Sequence, residues 1–412
     1  MPNSGRNRKS ENEKIEAIDT TSDRLTGRGG LALFVRYLRE LDLMEHLDRL
    51  FGSMRKSGKG LPVTALFKQL FCFFLDGTSR HLVYFDHLRE EDGYAGAIET
   101  PTEAMASSHQ VKRFFGAFSW PRIWLFRRLL QQLFLWRLDI EKPEVVVLGV
   151  DTMIMDNSEA DVRHGVEPTY KRGVRGFQPL QVTWRRFMID AVFRGGSKHS
   201  NHGDTVIKTI ARLVQLVRTR YRAVPIIVRM DAGFFDQQLM KGLEGLGVGY
   251  LIGGKIYGDV RDATETVEFA HWCTFTNDHQ KWEYLDFWDC RGRWDRYRRA
   301  ILSRTAVEDG QHVLDFARTE SIIYTNLALG SEVAAELETA GLDRYLEPDR
   351  LLEIYHGRGR DELVHRALKD FYAEELPFKR FAPNAAFYYV MLVAFFLYEA
   401  FKEDVCEEIV PV

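Results

Sequence analysis

Apolar residues recur at helical spacing through the first third of the chain. Leu31, Phe34, Val35, Leu38 and Leu41 share one face of a helix expected over residues 31–51, and a turn rich in Gly, Lys and Ser follows at residues 52–60. Pro62 opens a second helix over residues 63–75, which is apolar nearly throughout and so belongs at the centre of a helical domain reaching to about Ile140. Pro121, just after Ser119 and Trp120, suits the first turn of the last helix of that domain.

The period changes at Glu144. Val145, Val146, Val147, Leu148, Gly149 and Val150 form a β-branched run that reads as a buried strand and ends on Asp151. Residues 177–193 mix Val, Thr, Trp, Phe, Met and Ile as a hairpin pair would, with a glycine-rich exit at Gly195 and Gly196. A helix is expected over residues 204–222, and a strand over 225–230 that also ends on an acid, Asp231. Helix 237–246 and strand 248–256 complete an alternation that predicts an α/β domain with a mixed sheet. Beyond Gly258 the pattern is different: four of the eight tryptophans fall between Trp272 and Tyr297, and alternation around Trp282, Tyr284 and Phe287 predicts a β-rich insertion. Helix resumes over residues 349–371 and 385–401.

These changes divide the chain into a mobile tail (1–30), an N-terminal helical domain (31–140), a first part of the core (141–256), a β-rich insertion (257–330) and a second part of the core (331–412). With 412 residues, 45% of them hydrophobic and 28% charged, the chain has the composition of an ordinary globular protein rather than a disordered or collagenous one. The run from Ala385 to Tyr398 is shorter than the roughly 18 residues that a membrane span needs, and is read as a buried helix. Cys72, Cys273, Cys290 and Cys406 form no CxxC pair, which fits a reducing cytoplasm. The net charge of −3 predicts no particular partner, but its distribution is uneven. Lys112, Arg113, Arg122, Arg127, Arg128 and Arg137 lie in a stretch without acids, and Arg291, Arg293, Arg296, Arg298, Arg299 and Arg304 form a second cluster. Either run alone reads as well as a solvated face. The two together, interleaved with Phe114, Phe115, Trp120, Trp124, Trp294 and Tyr297, favour a phosphate backbone as partner.

Asp151 and Asp231 stand where hydrophobic strands run out, the place where α/β sheets gather ligands. They read either as loop carboxylates or as ligands of a hard cation such as Mg²⁺. A third element bears on that choice. Tyr355, Arg358, Glu362 and Lys369 give the spacing Y-x2-R-x3-E-x6-K, and on one continuous helix at about 100° per residue they share a stripe roughly 60° wide. Ion pairing of Arg358 with Glu362 would account for part of this. It gives no reason for Gly357 and Gly359, which cost about 1 kcal/mol each within a helix and suggest close approach of a bound strand. Asp156, Asp236 and Asp361 are competing acids, the last rotated off the stripe. His199 and His202 could pair on a metal at i,i+3, but no third ligand follows and they read as loop residues near the partner. No GxxxxGK[ST] loop is present, so nothing points to ATP.

Together, Val150-Asp151-Thr152, Arg229-Met-Asp231-Ala-Gly-Phe234 and the Tyr355 to Lys369 signature resemble the DDE transposases of insertion sequences, in particular the IS4 superfamily and its IS1380-like members. Ala232 stands where relatives often have Ser, and Leu-Val-His-Arg follows Glu362 in place of their Ile-Lys-Glu pattern. The resemblance implies an RNase H-like core interrupted by a β-rich insertion, and cut-and-paste transposition of DNA, by way of a hairpin intermediate. It implies Asp151, Asp231 and Glu362 as catalytic residues holding two Mg²⁺ ions, with Mn²⁺ able to replace them. Tyr355, Arg358, Lys369, Lys112, Arg113 and Trp288 are the expected DNA contacts; Trp282 and Trp294 join Trp288 as candidates to hold an unpaired base, with core packing the alternative for each. The expected partner is double-stranded DNA, both terminal inverted repeats and target, bound by a homodimer in the bacterial cytoplasm at the nucleoid, with no membrane involved. A nuclease that cuts without joining, or a DNA-binding protein that no longer cuts, are the rival readings.

Overall fold

The computed structural model describes residues 26–54, 60–277, 280–292, 294–308, 311–313, 318–371 and 374–406, without the side chains of residue 269 and residues 358–361. The expected tail at 1–30 therefore lies almost wholly outside the described residues.

The N-terminal region holds α1 (Gly30–Glu40), α2 (Leu43–Phe51), α3 (Val63–Asp76), α4 (Tyr84–Leu88), α5 (Asp92–Ala97), α6 (Ser108–Gly116) and α7 (Trp120–Glu141). The single helix expected over 31–51 is two, because Asp42 adopts a left-handed conformation (φ 49°) between them. Pro62 precedes α3, Gly77 ends it at φ 61°, and Pro121 lies in the first turn of α7. Ser107 and Gln110 form a reciprocal capping box on α6.

The core follows with β1 (Val146–Thr152), β2 (Met155–Asp156), β3 (Glu167–Pro168), β4 (Arg175–Phe177), β5 (Leu180–Trp184), β6 (Phe187–Val192), α8 (Thr205–Arg220), β7 (Ile226–Met230), α9 (Gln237–Gly245) and β8 (Gly249–Gly253). In the main sheet the order is β6-β5-β1-β7-β8, with β1, β5 and β6 joined as an antiparallel meander and β7 and β8 added in parallel beside β1. That mixed order is the RNase H-like arrangement which the sequence resemblance implied.

The region expected to be β-rich opens on a helix, α10 (Gly258–Glu265), before β9 (Cys273–Thr276), β10 (Gln280–Asp289), β11 (Arg298–Glu308), β12 (Gln311–His312) and β13 (Glu320–Thr325). These strands extend the same sheet: β13 pairs antiparallel with β8, and β11, β10 and β9 follow outward. The chain closes with α11 (Glu332–Thr339), α12 (Pro348–His356), α13 (Arg358–Phe371) and α14 (Phe381–Val405). Here too one expected helix, 349–371, is two, interrupted at Gly357.

Helix α14 is long and apolar enough to cross a membrane, yet it is the central element of the core, packing against α1, α3, α6, α7, α13 and β6. Phe387, Val390, Leu392, Phe395 and Phe396 are all at most 1% exposed. Phe387 meets Phe74 and Phe115, Phe401 meets Phe34, and Phe396 meets Phe187 of the sheet. The N-terminal helices and the sheet thus share one core across α14. At about 1.5–3 kcal/mol for each large apolar side chain buried, this helix is a leading contributor to stability.

Candidate active site

The site is built on two neighbouring parallel strands. Val146 pairs with Ile226 and the register runs on to Val150 beside Met230, so the next residues, Asp151 and Asp231, lie side by side at one strand spacing, about 4.8 Å. Both strands consist of β-branched and aliphatic residues buried in the sheet, which holds this register, and the acids come where that run ends. The Thr152 N–H donates to Asp151 Oδ1 (2.7 Å) and the Gly233 N–H to Asp231 Oδ1 (2.9 Å), fixing the orientation of both carboxylates. The phenol of Tyr170, on the exposed loop between β3 and β4, is raised above its ordinary value first by lost solvation and then by the charges of Asp151 and Asp231.

The signature meets this pair at its two ends. Tyr355, in the last turn of α12, rests on Gly253 at the end of β8; a Cβ there would clash with Tyr355 Oη and come within 3.0 Å of the Ala232 nitrogen. Glycine at 253 thus lets the phenol reach the backbone beside Asp231. Arg229, two residues before Asp231 and so on the same face of β7, donates through Nη1 to the Ile354 carbonyl at the end of α12. A Cβ at Gly357 would come within 3.0 Å of that guanidinium. Glycine at 357 thus leaves room for the Arg229 guanidinium, a role inside the protein that the sequence did not show.

At the other end, Lys369 Nζ pairs with Glu374 Oε1 (2.9 Å), whose Oε2 accepts the Asp156 N–H (3.1 Å). Asp156, five residues after Asp151, is held below the usual carboxylate range first by its Ser158 hydrogen bonds, with Lys171 and Lys369 contributing charge. Between these anchors Glu362 is exposed on α13. Among the described residues no three His, Cys, Asp or Glu side chains gather closely enough to hold a metal, so Glu362 is not drawn into a cluster with the two aspartates. The break at Gly357 also puts Tyr355 on a different helix from Glu362 and Lys369, so the single stripe expected of the four residues is not present. The side chain of Arg358 lies outside the described residues.

Other expected contacts distribute differently. Lys112 and Arg113 are exposed on α6. Trp288 is 58% exposed, but it lies on β10, four strands across the sheet from β7: it pairs with Arg299, Arg299 with Thr325 and Thr325 with Leu251, in the row of Arg229. Trp282 is buried, stacked 4.8 Å from His356. Trp294 packs on Phe235 and Tyr324. Trp282→Ala is expected to cost about 3–5 kcal/mol of stability and Trp288→Ala no more than about 0.5 kcal/mol, to be read by chemical denaturation of the two variants.

The second basic run is largely neutralised within the fold and the first in part. Arg127 pairs with buried Asp190, and Arg137 with Glu403 and Asp404. In the second run Arg291 meets Asp259 and Asp289, Arg298 Glu244, Arg299 Asp286, and Arg304 Glu283; Arg293 lies outside the described residues. In the second run charge counting along the sequence misses the acids, which come from distant segments.

Residues that the sequence did not single out also surround the pair. Arg194, 6% exposed, donates through Nε to the Gln178 carbonyl (3.2 Å), and Gln178 Nε2 donates to Thr152 Oγ1 (3.3 Å), next to Asp151. Burial without a carboxylate partner pushes the guanidinium down to about 10. Ser200 lies against Gly233, where a Cβ would come within 2.9 Å of its Oγ. The sequence signal for Tyr170 was the Tyr-Lys-Arg-Gly turn at 170–173; for Arg194 there was none, since an arginine just past a strand end looks solvent-bound, and its burial shows only in the fold.

The chain matches the family model described as transposase DDE domain group 1 over residues 7–409. No curated protein matches it. Among solved structures it is similar, at 12% identity, to a pre-cleavage Mos1 transpososome, covering 55% of this chain and 78% of that one with a TM-score of 0.19. The Mos1 strand transfer complex is similar at 12% identity over 56% of this chain and 78% of that one (TM-score 0.19). A Mos1 transposase paired-end complex with the left transposon end gives 12%, 55%, 78% and 0.18 for the same measures.

Proposed function

The chain belongs to the transposase DDE domain group 1 family, and from that membership we propose that it cuts and joins DNA at the ends of an insertion sequence of the IS4 superfamily, IS1380-like branch, with Asp151, Asp231 and Glu362 as its acidic triad. The observation that carries this reading is the register pairing of Asp151 with Asp231, together with the seating of α12 against the Asp231 backbone through Tyr355 and of α13 through the ion pair of Lys369 with Glu374.

The donor set suits a hard divalent cation: two carboxylates one strand spacing apart, each oriented by a backbone N–H. Two Mg²⁺ or Mn²⁺ ions held by Asp151, Asp231 and Glu362 would activate the attacking oxygen and stabilise the leaving one. The chain's own side chains do the rest. Tyr355 and Arg229 brace the backbone on which Asp231 sits, and the ion pair of Lys369 with Glu374 steadies α13 against the loop after Asp151. Lys369 and Arg358, on the same helix as Glu362, would take phosphate oxygens flanking the scissile bond, Lys369 by exchanging Glu374 for phosphate. Catalysis of this kind is positioning and charge neutralisation. The partner is double-stranded DNA, terminal repeats and target alike, bound by a homodimer in the cytoplasm, with a hairpin on the excised end.

The test is incubation of the protein with its element ends, with and without Mg²⁺, scoring cleavage, hairpin formation and joining separately. Metal-dependent cleavage and joining are expected. Cleavage without joining would return the nuclease reading, and binding without either would return the non-cutting one. Lys369→Ala is expected to lower the dependence of log K on log salt by about 0.9, one phosphate contact. Folding should be retained, because a half-exposed pair contributes at most about 1 kcal/mol. An unchanged slope would leave Lys369 as a purely structural partner of Glu374.

A further inference from the structure

A groove of about 480 Å³ opens between α7 and α8, with Val192 at the end of β6 as part of its wall. Its cations come from both helices: Arg128 from α7, and Lys208 and Arg212 from α8. All three are exposed. Among the described residues Arg128 and Arg212 form no ion pair, and Lys208 has only the exposed Asp204, at 3.2 Å. This contrasts with Arg127 and Arg137 of the first basic run and with the paired arginines of the second. Lys208 and Arg212 are also like charges at i,i+4, an arrangement that costs a helix a few tenths of a kcal/mol unless an anion lies between them.

One rim of the groove is aromatic and rigid. Trp124 is 53% exposed, with the Arg127 guanidinium 5.2 Å from its ring centre. Arg127 cannot swing away, because it is held bidentately by Asp190 (2.7 and 2.8 Å), a carboxylate that is fully buried and also bonded by Gln131. The groove's floor charge is therefore spent on fixing the indole, while its outer cations remain available.

Register places this groove relative to the aspartates. Thr152 pairs with Leu180 and Leu180 with Val192, so the groove wall lies in the same cross-strand row as the residue after Asp151, two strand spacings away. That is about 10 Å, or roughly three base pairs at 3.4 Å rise per strand.

We propose that the α7–α8 groove is a second nucleic-acid contact, in which Arg128, Lys208 and Arg212 hold the phosphate backbone of duplex DNA roughly three base pairs from the phosphate at Asp151 and Asp231, with Trp124 against the sugars. The proposal rests on the reading of that pair as the cleavage site for its distance, but not for its charge. The groove is not among the contacts that the signature suggests, and it uses residues from two helices far apart in sequence.

The experiment compares the full-length protein with a variant carrying Arg128→Gln, Lys208→Gln and Arg212→Gln, both in an Asp151→Asn background so that binding is read without cutting. On a generic duplex the variant is expected to lower the slope of log K against log salt by about two to three, at roughly 0.9 per phosphate released. Thermal melting should be unchanged, since all three side chains are exposed. On an element end, neutral methylphosphonates placed two to four base pairs from the cut are expected to weaken binding of the parent and leave the variant unaffected. An unchanged salt slope, or equal methylphosphonate sensitivity in both proteins, overturns the proposal. Cleavage of element ends is scored separately with Asp151 restored: loss of slope in a protein that then never cleaves would sustain the groove and sink the function proposed above, and cleavage with an unchanged slope would do the reverse.

Discussion

Asp231→Asn is expected to abolish strand cleavage, by at least about 10²–10³-fold, while leaving the fold intact. The asparagine keeps a carbonyl oxygen to accept the Gly233 N–H, so the turn after β7 loses nothing. What it loses is one of two negative charges set side by side by the register of β1 and β7. At about 5 Å and an effective dielectric constant near 20, their repulsion is at most about 3 kcal/mol. Without divalent cations the variant should therefore be as stable as the parent or more so, whereas Mg²⁺ should raise the melting temperature of the parent and leave that of the variant nearly unmoved. Asp151→Asn, which keeps the acceptor for the Thr152 N–H, should behave alike. Full cleavage by either variant in Mg²⁺ would remove the pair from the chemistry.

Gly253→Ala is expected to cost activity and stability together, about 1–3 kcal/mol of the latter, because the added methyl overlaps Tyr355 Oη and crowds the Ala232 nitrogen. The phenol must then withdraw from the strand that carries Asp231. Combining Gly253→Ala with Tyr355→Phe removes the oxygen that clashes and should recover much of the stability, a coupling that a double-mutant cycle measures directly. If the two changes add with no coupling, Tyr355 does not press on Gly253 and the anchoring of the signature helix beside Asp231 fails.

The elements that set the two aspartates were legible because their signal is local. The runs ending at Val150 and Met230 have one strand reading, Asp204 to Arg222 has one helical face, and the register between strands follows once the parallel sheet is assumed. Breaks in helices were not legible. Apolar spacing continues across Asp42 and Gly357, and only tertiary contacts show why the chain turns there: at Gly357, the Arg229 guanidinium occupies the space that a side chain would need. For the same reason the glycine looked like an opening for a ligand. Charge was the least legible property. Arg298 and Arg304 are basic to any sequence window, yet Glu244 and Glu283 cancel them from other strands and helices. The cations left over, Arg128 and Arg212, stand more than 80 residues apart. Of the three acids proposed as a triad, Asp151 and Asp231 could be placed from strand register, whereas Glu362 depends on where α13 begins after the Gly357 break, which no periodicity determines.

The position of α14 has a consequence for how the chain is made. The hydrophobic faces of α1, α3, α6 and α7 close on a helix encoded near the end of the sequence. At about 5–20 residues per second of synthesis, those helices wait on the order of tens of seconds for the segment that covers them. During that interval Phe34, Phe74 and Phe115 have no native partner from α14, which leaves apolar surface exposed on the nascent chain. A message truncated anywhere before Phe381 would yield a chain unable to complete that core.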